Sequence, residues 1–378
     1  MKKVVLITGF TGMDGANLTE YLLKNTECEI YGMVRRSANP NFKNVKEFLD
    51  NSRVKIVYGD LIDLISIKNL VEKIQPDYLI NLGANSFVGC SWDMPIQVFE
   101  TNTLGVLYCL EAIKSVKPNC RFYQASSSEQ FGDVLYSPQD IKHEWRPRSI
   151  YGCSKCSSHY LVKVYKESYG LYAVCGILFN HDGIKRGPEF VTQKIALGVA
   201  NIHNQISKKQ PITPIKLGNL DAKRDWSDSE DFVDGIWRML NQEEFNQQLK
   251  EKYISKNFYT ENIGWLFKEI KDYILASGET HSVKEFIELA FKEANIEGYW
   301  EGKGINEKYL ISNYLIEEHN LNSNILVEVD PKFFRPAEVN ILCGDSTPAR
   351  KELNWQPKVS FQELVKKMVR HNINNPQV

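Results

Sequence analysis

Long apolar runs are missing from this sequence of 378 residues. No stretch approaches the roughly 18–20 consecutive apolar residues that a transmembrane helix requires. The apolar run within MKKVVLITGF ends after a few residues in a glycine-rich turn, and it is too short for a signal peptide. We therefore expect a cytoplasmic protein that does not enter a membrane.

An excess of charge of one sign is also missing. Because 46 Lys and Arg residues almost balance 47 Asp and Glu residues, the formal net charge is −1. Such a chain has no general attraction to nucleic acid or to an anionic membrane. Any anionic ligand must therefore be held locally, by arginine side chains and backbone amides.

The eight cysteines form no recognisable framework. Scattered cysteines without a secretory signal favour free thiols in a reducing compartment. Cys153 and Cys156 form a CxxC pair, but no second pair follows. Two thiols on one helix is the simpler interpretation, a metal or redox role is the alternative, and we expect no metal site.

The first half of the chain alternates between short runs rich in β-branched residues and longer segments with helical spacing. The candidate strands are residues 4–8, 29–34, 54–59, 78–83 and 121–126. This alternation predicts a parallel sheet with helices on both faces, joined by right-handed crossovers. We therefore predict an α/β fold with a Rossmann-type doubly wound parallel sheet.

Beyond about residue 180 the pattern becomes irregular, with turn-rich segments at 214–226 and 330–339. We predict a cofactor-binding domain over residues 1–180, which the chain rejoins at about 215–240. Residues 181–378 would form most of a smaller, mixed α/β C-terminal substrate lobe. The stretch 241–272, rich in Glu, Gln, Lys and Asn, is interpreted as a surface insertion.

A glycine-rich loop follows the first predicted strand, where TGFTGMDG contains Gly9, Gly12 and Gly15. Glycines allow a tight turn and let backbone amides approach a pyrophosphate at the positive end of a helix. The spacing GxxGxxG is a weak signal alone, but here it opens a βαβ unit, which is the context that a dinucleotide motif requires. We therefore expect a dinucleotide cofactor.

Arg35, Arg36 and Ser37 follow the second predicted strand, where an NAD site usually has an acidic residue. Two guanidinium groups and a hydroxyl suit a 2′-phosphate, so NADP is favoured, and a solvated basic turn is the alternative. Segments after the third and fourth predicted strands are also expected to contact the cofactor: Asp60, Leu61, Leu82, Gly83 and Ala84.

Tyr151 and Lys155 are four residues apart and share one face of a predicted helix. A lysine ammonium stabilises a neighbouring phenolate, which lowers the tyrosine pKa from about 10 towards the working range. The lysine can also hold the nicotinamide ribose. This is the expected catalytic pair of a short-chain dehydrogenase.

The fifth predicted strand ends in ASSSEQFG, at the edge where open α/β sheets bind ligands. Ser127 is placed there to hydrogen-bond a substrate hydroxyl. Glu129 is a carboxylate that simple oxidation does not need, whereas a dehydration needs a further base and acid. The alternative for Glu129 is an ordinary surface charge.

At these residues the chain resembles the GDP-mannose 4,6-dehydratase family of extended short-chain dehydrogenases. The resemblance covers most of the chain and rests, in order, on LITGFTGMDG, YGDLID, NLGANSFV, FYQASSSEQFG, PRSIYGCSK, GILFNH, FVTQKI, LGNLDAKRDW, ASGETHSVKEF, FFRPAEV and LNWQPKVSF. It implies conversion of a GDP-manno-configured sugar to its 4-keto-6-deoxy product and water. Hydride would pass from C4 to tightly bound NADP and return to C6 in each turnover.

The resemblance also implies residue roles. The catalytic residues would be Ser127, where the family usually has threonine, Glu129 as base and acid, Tyr151 and Lys155. The implied cofactor contacts are Gly9, Thr11, Gly12, Met13, Asp14, Arg35, Arg36, Asp60, Leu61, Ser86, His181 and Arg186. The implied nucleotide-sugar contacts are Ser86, Ser128, Asn180, Val191, Lys194, Leu217, Gly218, Arg224 and Arg335 for the diphosphate, and Glu338 for ribose hydroxyls.

The chain departs from the family pattern at Asn85, Gln97, Gln193 and residues 183–184. These departures leave the chemistry intact but leave the sugar open. The alternatives are the same reaction on GDP-manno-heptose, a 4-epimerase or 4-dehydrogenase of the same fold, and a non-catalytic NADP-binding protein. Because extended dehydrogenases commonly pair through two helices per subunit, we expect a homodimer or homotetramer.

Overall fold

The computed structural model describes residues 2–246, 269–312 and 324–376. Its strands are β1 (Val4–Thr8), β2 (Glu29–Val34), β3 (Val54–Tyr58), β4 (Tyr78–Asn81), β5 (Arg121–Ser127), β6 (Ala173–Leu178), β7 (Asn180–Asp182), β8 (Ile215–Leu217), β9 (Lys223–Arg224), β10 (Trp226–Asp228), β11 (Tyr273–Leu275), β12 (His281–Ser282), β13 (Gly298–Glu301), β14 (Lys308–Ile311), β15 (Ile325–Val329) and β16 (Ile341–Leu342). Its α-helices are α1 (Met13–Asn25), α2 (Leu64–Ile74), α3 (Pro95–Phe99), α4 (Gly105–Val116), α5 (Ile150–Tyr169), α6 (Val191–Ser207), α7 (Ser229–Leu240), α8 (Gln242–Phe245), α9 (Val283–Glu293), α10 (Thr347–Glu352) and α11 (Phe361–Asn374). Over these ranges, no helix combines the length and the apolar content needed to cross a bilayer.

The chain divides into two compact units and enters each of them more than once. The first unit takes Met1–Phe179, Ser229–Gly278 and Cys343–Pro357. The second unit takes Asn180–Asp228, Glu279–Leu342 and Lys358–Val378. Two segments from the second half of the chain therefore return to the first unit.

The first unit contains, in its described residues, a seven-stranded parallel sheet in the order β3-β2-β1-β4-β5-β6-β11. Successive residues of a strand point to opposite faces, and Val5 and Ile7 enter one apolar core while Leu6 enters another. Because each face needs its own cover, α2 and α4 pack on one side and α1 and α7 on the other. The predicted Rossmann-type doubly wound sheet is confirmed.

Helix α5 is the longest helix of the first unit within the described chain, and its ends follow from local chemistry. The hydroxyl of Ser149 accepts a hydrogen bond from the Gly152 N–H at 3.0 Å and caps the first turn. At the other end, Gly170 adopts the left-handed conformation with φ +66° that commonly terminates helices. These caps fix Tyr151 in the first turn of the helix.

The second unit is mixed α/β. Its described residues form a four-stranded sheet (β13-β14-β15-β8), a three-stranded sheet (β12-β9-β16) and the parallel pair β10-β7. Helices α6, α9 and α11 pack around one apolar core that includes Ile195, Phe286 and Met368. Ser282 and Ser360 open α9 and α11 with capping boxes, which satisfy the first N–H groups of each helix.

The interpretation of residues 241–272 as a surface insertion is wrong at both flanks. Asn241, Gln242 and Ile270 are buried in the first unit. The Gln242 side chain bonds the backbone of Lys271 in both directions, accepting from its N–H at 3.1 Å and donating to its carbonyl at 2.7 Å. Amide side chains whose hydrogen bonds are all made can be buried at little energetic cost. The polar composition of these flanks therefore does not make them exposed. Residues 247–268 lie outside the described residues.

Candidate active site

The glycine loop between β1 and α1 is built for close backbone approach. Gly9 has φ +67°, and a Cβ atom added there would lie 2.6 Å from the backbone nitrogen of Gly83. A Cβ at Gly15 would collide with the Gly9 carbonyl oxygen. The N-cap of α1 is Gly12, which has no side chain to offer the N–H groups of the first turn. These features fit the pyrophosphate of a dinucleotide, which binds backbone N–H groups at a helix N-terminus.

Other residues predicted to contact the cofactor follow neighbouring strands of the same sheet edge. The Leu61 side chain lies against Gly83, where an added Cβ would be 2.7 Å from its Cδ1. Arg35 and Arg36 are exposed just beyond β2, and Arg36 donates to the Ser37 carbonyl at 2.6 Å. The remaining predicted positions lie in these loops and in the first turn of α1: Thr11, Met13, Asp14, Asp60, Leu82, Ala84 and the exposed Ser86.

Tyr151 and Lys155 lie on one face of α5, as their spacing predicts. The Lys155 Nζ atom is 5.6 Å from the centroid of the Tyr151 ring and donates to the Ala125 carbonyl at 2.8 Å. Burial disfavours the charged amine and lowers the pKa of Lys155 to about 8. At neutral pH the lysine is therefore still mostly protonated, with its charge held beside the tyrosine.

Glu129 lies in a short 3-10 turn, Ser128–Gln130, and Ser127, the last residue of β5, is the N-cap of that turn. The Ser127 hydroxyl accepts from the Glu129 N–H at 3.2 Å, and the Ser127 N–H donates to the side-chain oxygen of Gln130 at 3.2 Å. The turn packs against the start of α5, because a Cβ added at Gly152 would lie 2.8 Å from the Glu129 carbonyl oxygen. The structure thus brings the turn that carries Glu129 against the helical turn that carries Tyr151.

A chain of buried amides, which was not predicted, crosses the sheet below the loops. Thr8 donates to Asn81, whose amide donates to the Gln124 side chain at 2.6 Å. Gln124 donates in turn to the Ala125 carbonyl at 2.8 Å, the same oxygen that accepts from Lys155. Thr8 and Asn81 are the polar last residues of apolar strands, and that position was the available signal in the sequence, whereas Gln124 lies in the middle of β5.

In the second unit, Arg224 and Arg335 share one carboxylate. The Nη2 atom of Arg224 lies 3.0 Å from Glu338 Oε1, and the Nη1 atom of Arg335 lies 3.7 Å from the same oxygen. Two guanidinium groups gathered at one carboxylate form a donor set of the kind that suits a diphosphate. The pairing of Glu338 with both arginines was not predicted, since Glu338 was expected to bind ribose hydroxyls.

A cavity of about 600 Å³ in the second unit is lined by residues that include Lys194, Lys216 and Phe333. The Lys194 Nζ atom lies 3.4 Å from the centroid of the Phe333 ring, and burial lowers the pKa of Lys194. Gly218 packs against the Phe333 backbone so closely that a Cβ would collide with its carbonyl. Lys194 and Gly218 were predicted to bind nucleotide sugar, whereas Lys216 and Phe333 were missed, although Lys216 directly precedes the quoted motif LGNLDAKRDW and Phe333 begins the quoted motif FFRPAEV.

The remaining predicted positions also lie in the second unit. Val191 begins α6, the buried Leu217 ends β8, and Asn180 and His181 belong to β7. Arg186 pairs with Asp182 at 2.9 Å, and its guanidinium carbon lies 3.5 Å from the Phe190 ring centroid. His181 and Arg186, which were predicted to contact the cofactor, therefore belong to a different unit from the glycine loop.

Solved structures with the same fold include two dTDP-glucose 4,6-dehydratases that contain NAD. The enzyme from Streptomyces venezuelae aligns with a TM-score of 0.72 and 19% identity, covering 98% of this chain and 97% of that one. The enzyme from Bacillus anthracis aligns with a TM-score of 0.70 and 18% identity, covering 99% and 97%. At this identity the likeness establishes the fold.

Relatives with much higher identity cover the whole chain. A GDP-mannose 4,6 dehydratase of Drosophila melanogaster is 38% identical over 379 residues, covering 98% of this chain and 86% of the relative. A GDP-mannose 4,6-dehydratase of Vibrio cholerae is 37% identical over 385 residues, covering 100% and 95%. The family model for GDP-mannose 4,6 dehydratase matches residues 6–270 and 263–368. The chain therefore belongs to the GDP-mannose 4,6 dehydratase family.

Proposed function

We propose that the chain catalyses the 4,6-dehydration of GDP-mannose to its 4-keto-6-deoxy product. The observation that carries this proposal is the packing of the Glu129 turn against the first turn of α5, at Gly152. An epimerase or a simple dehydrogenase needs the Tyr151–Lys155 pair but no additional carboxylate. A dehydratase needs that carboxylate beside the pair.

In the proposed mechanism, different residues of the first unit carry out the oxidation at C4 and the elimination of water. Tyr151 removes the proton of the 4-hydroxyl group, and the Lys155 ammonium stabilises the negative charge that develops on the phenol oxygen. The Ser127 hydroxyl holds the same substrate oxygen. Glu129 then takes the C5 proton, which the 4-keto group has made acidic, and protonates the departing C6 hydroxyl so that it leaves as water.

We propose that the first unit binds the cofactor through the glycine loop and the neighbouring strand ends. Gly9, Gly12 and Gly15 let the backbone meet the pyrophosphate, and Lys155 holds the nicotinamide ribose. When bound, NADP supplies the group that accepts hydride from C4 and returns it to C6. His181 and Arg186 of the second unit would complete the cofactor contacts.

The preference for NADP over NAD rests on Arg35 and Arg36, since both guanidinium groups are exposed beyond β2 and available to a 2′-phosphate. Loss of one charge-assisted contact costs about 1.5–3 kcal/mol, so Arg35→Ala should weaken NADP binding by roughly 10- to 100-fold. NAD binding should not change. Calorimetric titration with both cofactors decides the matter, and equal weakening of both would exclude this role.

We further propose that the second unit binds the GDP moiety. Arg224 and Arg335 would take the diphosphate, because their guanidinium groups lie together at Glu338 and can donate charge-assisted hydrogen bonds to phosphate oxygens. The cavity beside Lys194 and Phe333 would take the base and its ribose, because it combines an aromatic face with several polar side chains. Glu338 would exchange part of its pairing with the arginines for ribose hydroxyls.

The test of the function is turnover of a panel of nucleotide sugars followed by mass analysis of the products. GDP-mannose should give a product that has lost one water, with no net change in the cofactor. Faster turnover of GDP-manno-heptose would reassign the sugar, and products of unchanged mass would show an epimerase. UDP-, dTDP- and CDP-sugars should not react.

We also propose a cytoplasmic homodimer or homotetramer, with α5 and the stretch 97–114, which includes most of α4, at a two-fold interface. Such an interface is isologous, so each helix would meet the same surface of the other subunit. Exposed apolar residues on α5, including Tyr160 and Val164, support this choice. Light scattering that gives only the 43.5 kDa of one chain at micromolar concentration would contradict it.

A further inference from the structure

A histidine extends the catalytic face of α5 by one more helical turn. Tyr151, Lys155 and His159 are spaced by four residues and therefore lie along one side of the helix. The Nδ1 atom of His159 is 3.1 Å from the Ser126 hydroxyl, in the strand end that carries the catalytic turn. The Trp145 and His159 rings pack edge to face, with their centroids 4.6 Å apart.

The other side of the imidazole meets a buried carboxylate. The Nε2 atom of His159 lies 3.3 Å from Asp272 Oδ2, while Asp272 Oδ1 lies 3.5 Å from Lys166 Nζ and accepts from the Cys175 N–H at 2.7 Å. Burial acts to raise the pKa of Asp272, but the hydrogen bond with His159 and the charge of Lys166 outweigh it, and the pKa falls to about 2. Asp272 is therefore an anion that accepts from the histidine.

Ser126 transmits this contact to the catalytic turn. Its hydroxyl also meets the side-chain oxygen of Gln130, which accepts the N–H of Ser127. The hydroxyl donates to the Gln130 oxygen and also contacts the imidazole Nδ1, so the imidazole and the Gln130 side chain are coupled through it. The path from Asp272 to the turn is thus continuous: His159, Ser126 and Gln130 connect them.

The order of groups resembles a nucleophilic serine–histidine–carboxylate arrangement, but it cannot act as one. Ser126 is only 4% exposed and His159 only 5%, so no substrate reaches the hydroxyl. A buried chain of hydrogen-bonded side chains of this kind instead fixes the orientation of whatever it touches. What it touches is the turn that carries Ser127 and Glu129.

We propose that Asp272 and His159 are positioning residues for Glu129, acting through Ser126 and Gln130. This inference rests on the dehydratase function proposed above. The Asp272 carboxylate fixes the imidazole with its Nε2–H towards the acid, and Nδ1 then sets the Ser126 hydroxyl. Elimination across C5 and C6 requires Glu129 within hydrogen-bond reach of both positions, whereas oxidation at C4 depends on Tyr151 and Lys155.

The test separates these two steps in a single turnover with GDP-mannose. In His159→Leu, formation of the deoxy sugar should slow by about 10- to 100-fold, because a misplacement of about 1 Å costs up to that much. Oxidation at C4, followed by the absorbance of reduced nicotinamide, should slow by a smaller factor, because Tyr151 and Lys155 lie on α5 and of the residues proposed for oxidation only Ser127 adjoins the affected turn. Reduced cofactor should therefore accumulate in the variant, and Ser126→Ala should behave in the same way.

The ratio of the two rates does not depend on how much of the protein is folded. His159→Asn keeps an amide near the position of Nδ1. The ratio of deoxy-sugar formation to C4 oxidation in this variant should therefore lie closer to the wild-type ratio than it does in His159→Leu. Ser158→Ala removes a buried hydroxyl that donates only to the Lys155 carbonyl of the same helix, at 3.0 Å, and it is the matched control. It should leave the ratio unchanged.

Nitrogen-15 NMR of the histidines gives a readout without turnover. His159 should carry its proton on Nε2 in the wild type, and Asp272→Asn should abolish that preference. If His159→Leu slows oxidation and elimination by the same factor, or slows neither, the proposal is wrong. Failure of the dehydratase function itself would be recognised separately, since the wild type would then form no 4-keto-6-deoxy sugar.

Discussion

The groups proposed for catalysis in the first unit and the groups proposed for nucleotide binding in the second unit are assembled in different ways. In the first unit, the chemistry comes from two short segments, 125–130 and 151–159, whose side chains are buried and bonded to one another. In the second unit, the charged groups come from several distant segments of short strands and loops. A rigid strand end and helix suit chemistry, which tolerates little displacement, whereas loops suit recognition.

This difference predicts that changes in the first unit alter kcat and that changes in the second unit alter KM. The largest effect is expected for Tyr151→Phe, which should lower kcat by about 10³- to 10⁴-fold, because the proposed mechanism assigns removal of the 4-hydroxyl proton to Tyr151. Both oxidation and dehydration should be lost. Steady-state kinetics, with GDP binding measured in parallel, checks this prediction. A change in KM alone would contradict the assignment of kcat effects to the first unit.

A second prediction concerns the energetic cost of the buried catalytic lysine. The pKa of Lys155 is about 8 in the folded protein and 10.5 in a model peptide, so between these values the unfolded chain binds a proton that the folded chain does not. The free energy of unfolding should therefore rise as pH increases from 8 to 10.5, by up to about 3 kcal/mol from this group. That contribution is lost again as pH falls through 8.

Lys155→Met should remove this rise with pH, and denaturant unfolding at a series of pH values measures it. Lys163→Met, an exposed lysine on the same helix, is the control and should keep the rise. If the free energy of unfolding of Lys155→Met depends on pH as that of the wild type does, burial of the Lys155 ammonium does not destabilise the folded protein. Burial of this lysine would then not lower the stability of the first unit.

The smallest effect is expected in the second unit. Arg335→Ala leaves Arg224 on Glu338 and removes one contact to the diphosphate, so KM and the Kd for GDP should rise by about 10- to 100-fold with kcat unchanged. Arg370→Ala breaks an exposed pair with Glu293 in the same unit and should change neither. A fall in kcat for Arg335→Ala would show that recognition and chemistry are not divided in this way.

The features of the first unit were predictable where they depend on local pattern. The sheet followed from β-branched runs, the glycine loop from its place after β1, and the Tyr151–Lys155 face from helical spacing. The buried amide chain from Thr8 to Gln124 and the contact between His159 and Asp272 were not predicted. They join residues far apart in sequence, and no periodicity reports such a contact.

The second unit was predicted only in outline. Lys194, Gly218 and Arg224 were named through resemblance, because short strands and loops give no periodic signal of their own. The pairing of Glu338 with two arginines and the lining by Phe333 depend on tertiary contacts. The flanks of 241–272 show the same limit, since their polar residues are buried with partners that the sequence does not reveal.

The role proposed for Glu129 is tested most directly by a single turnover of Glu129→Gln with GDP-mannose in deuterated water. The substitution keeps the size of the side chain and removes its proton-accepting carboxylate. Oxidation at C4 should survive, reduced cofactor should accumulate, and formation of the deoxy sugar should fall by about 10²- to 10⁴-fold without deuterium entering C5. If the variant instead exchanges the C5 hydrogen and forms product at the wild-type rate, the base is another residue and the proposed role of Glu129 is wrong.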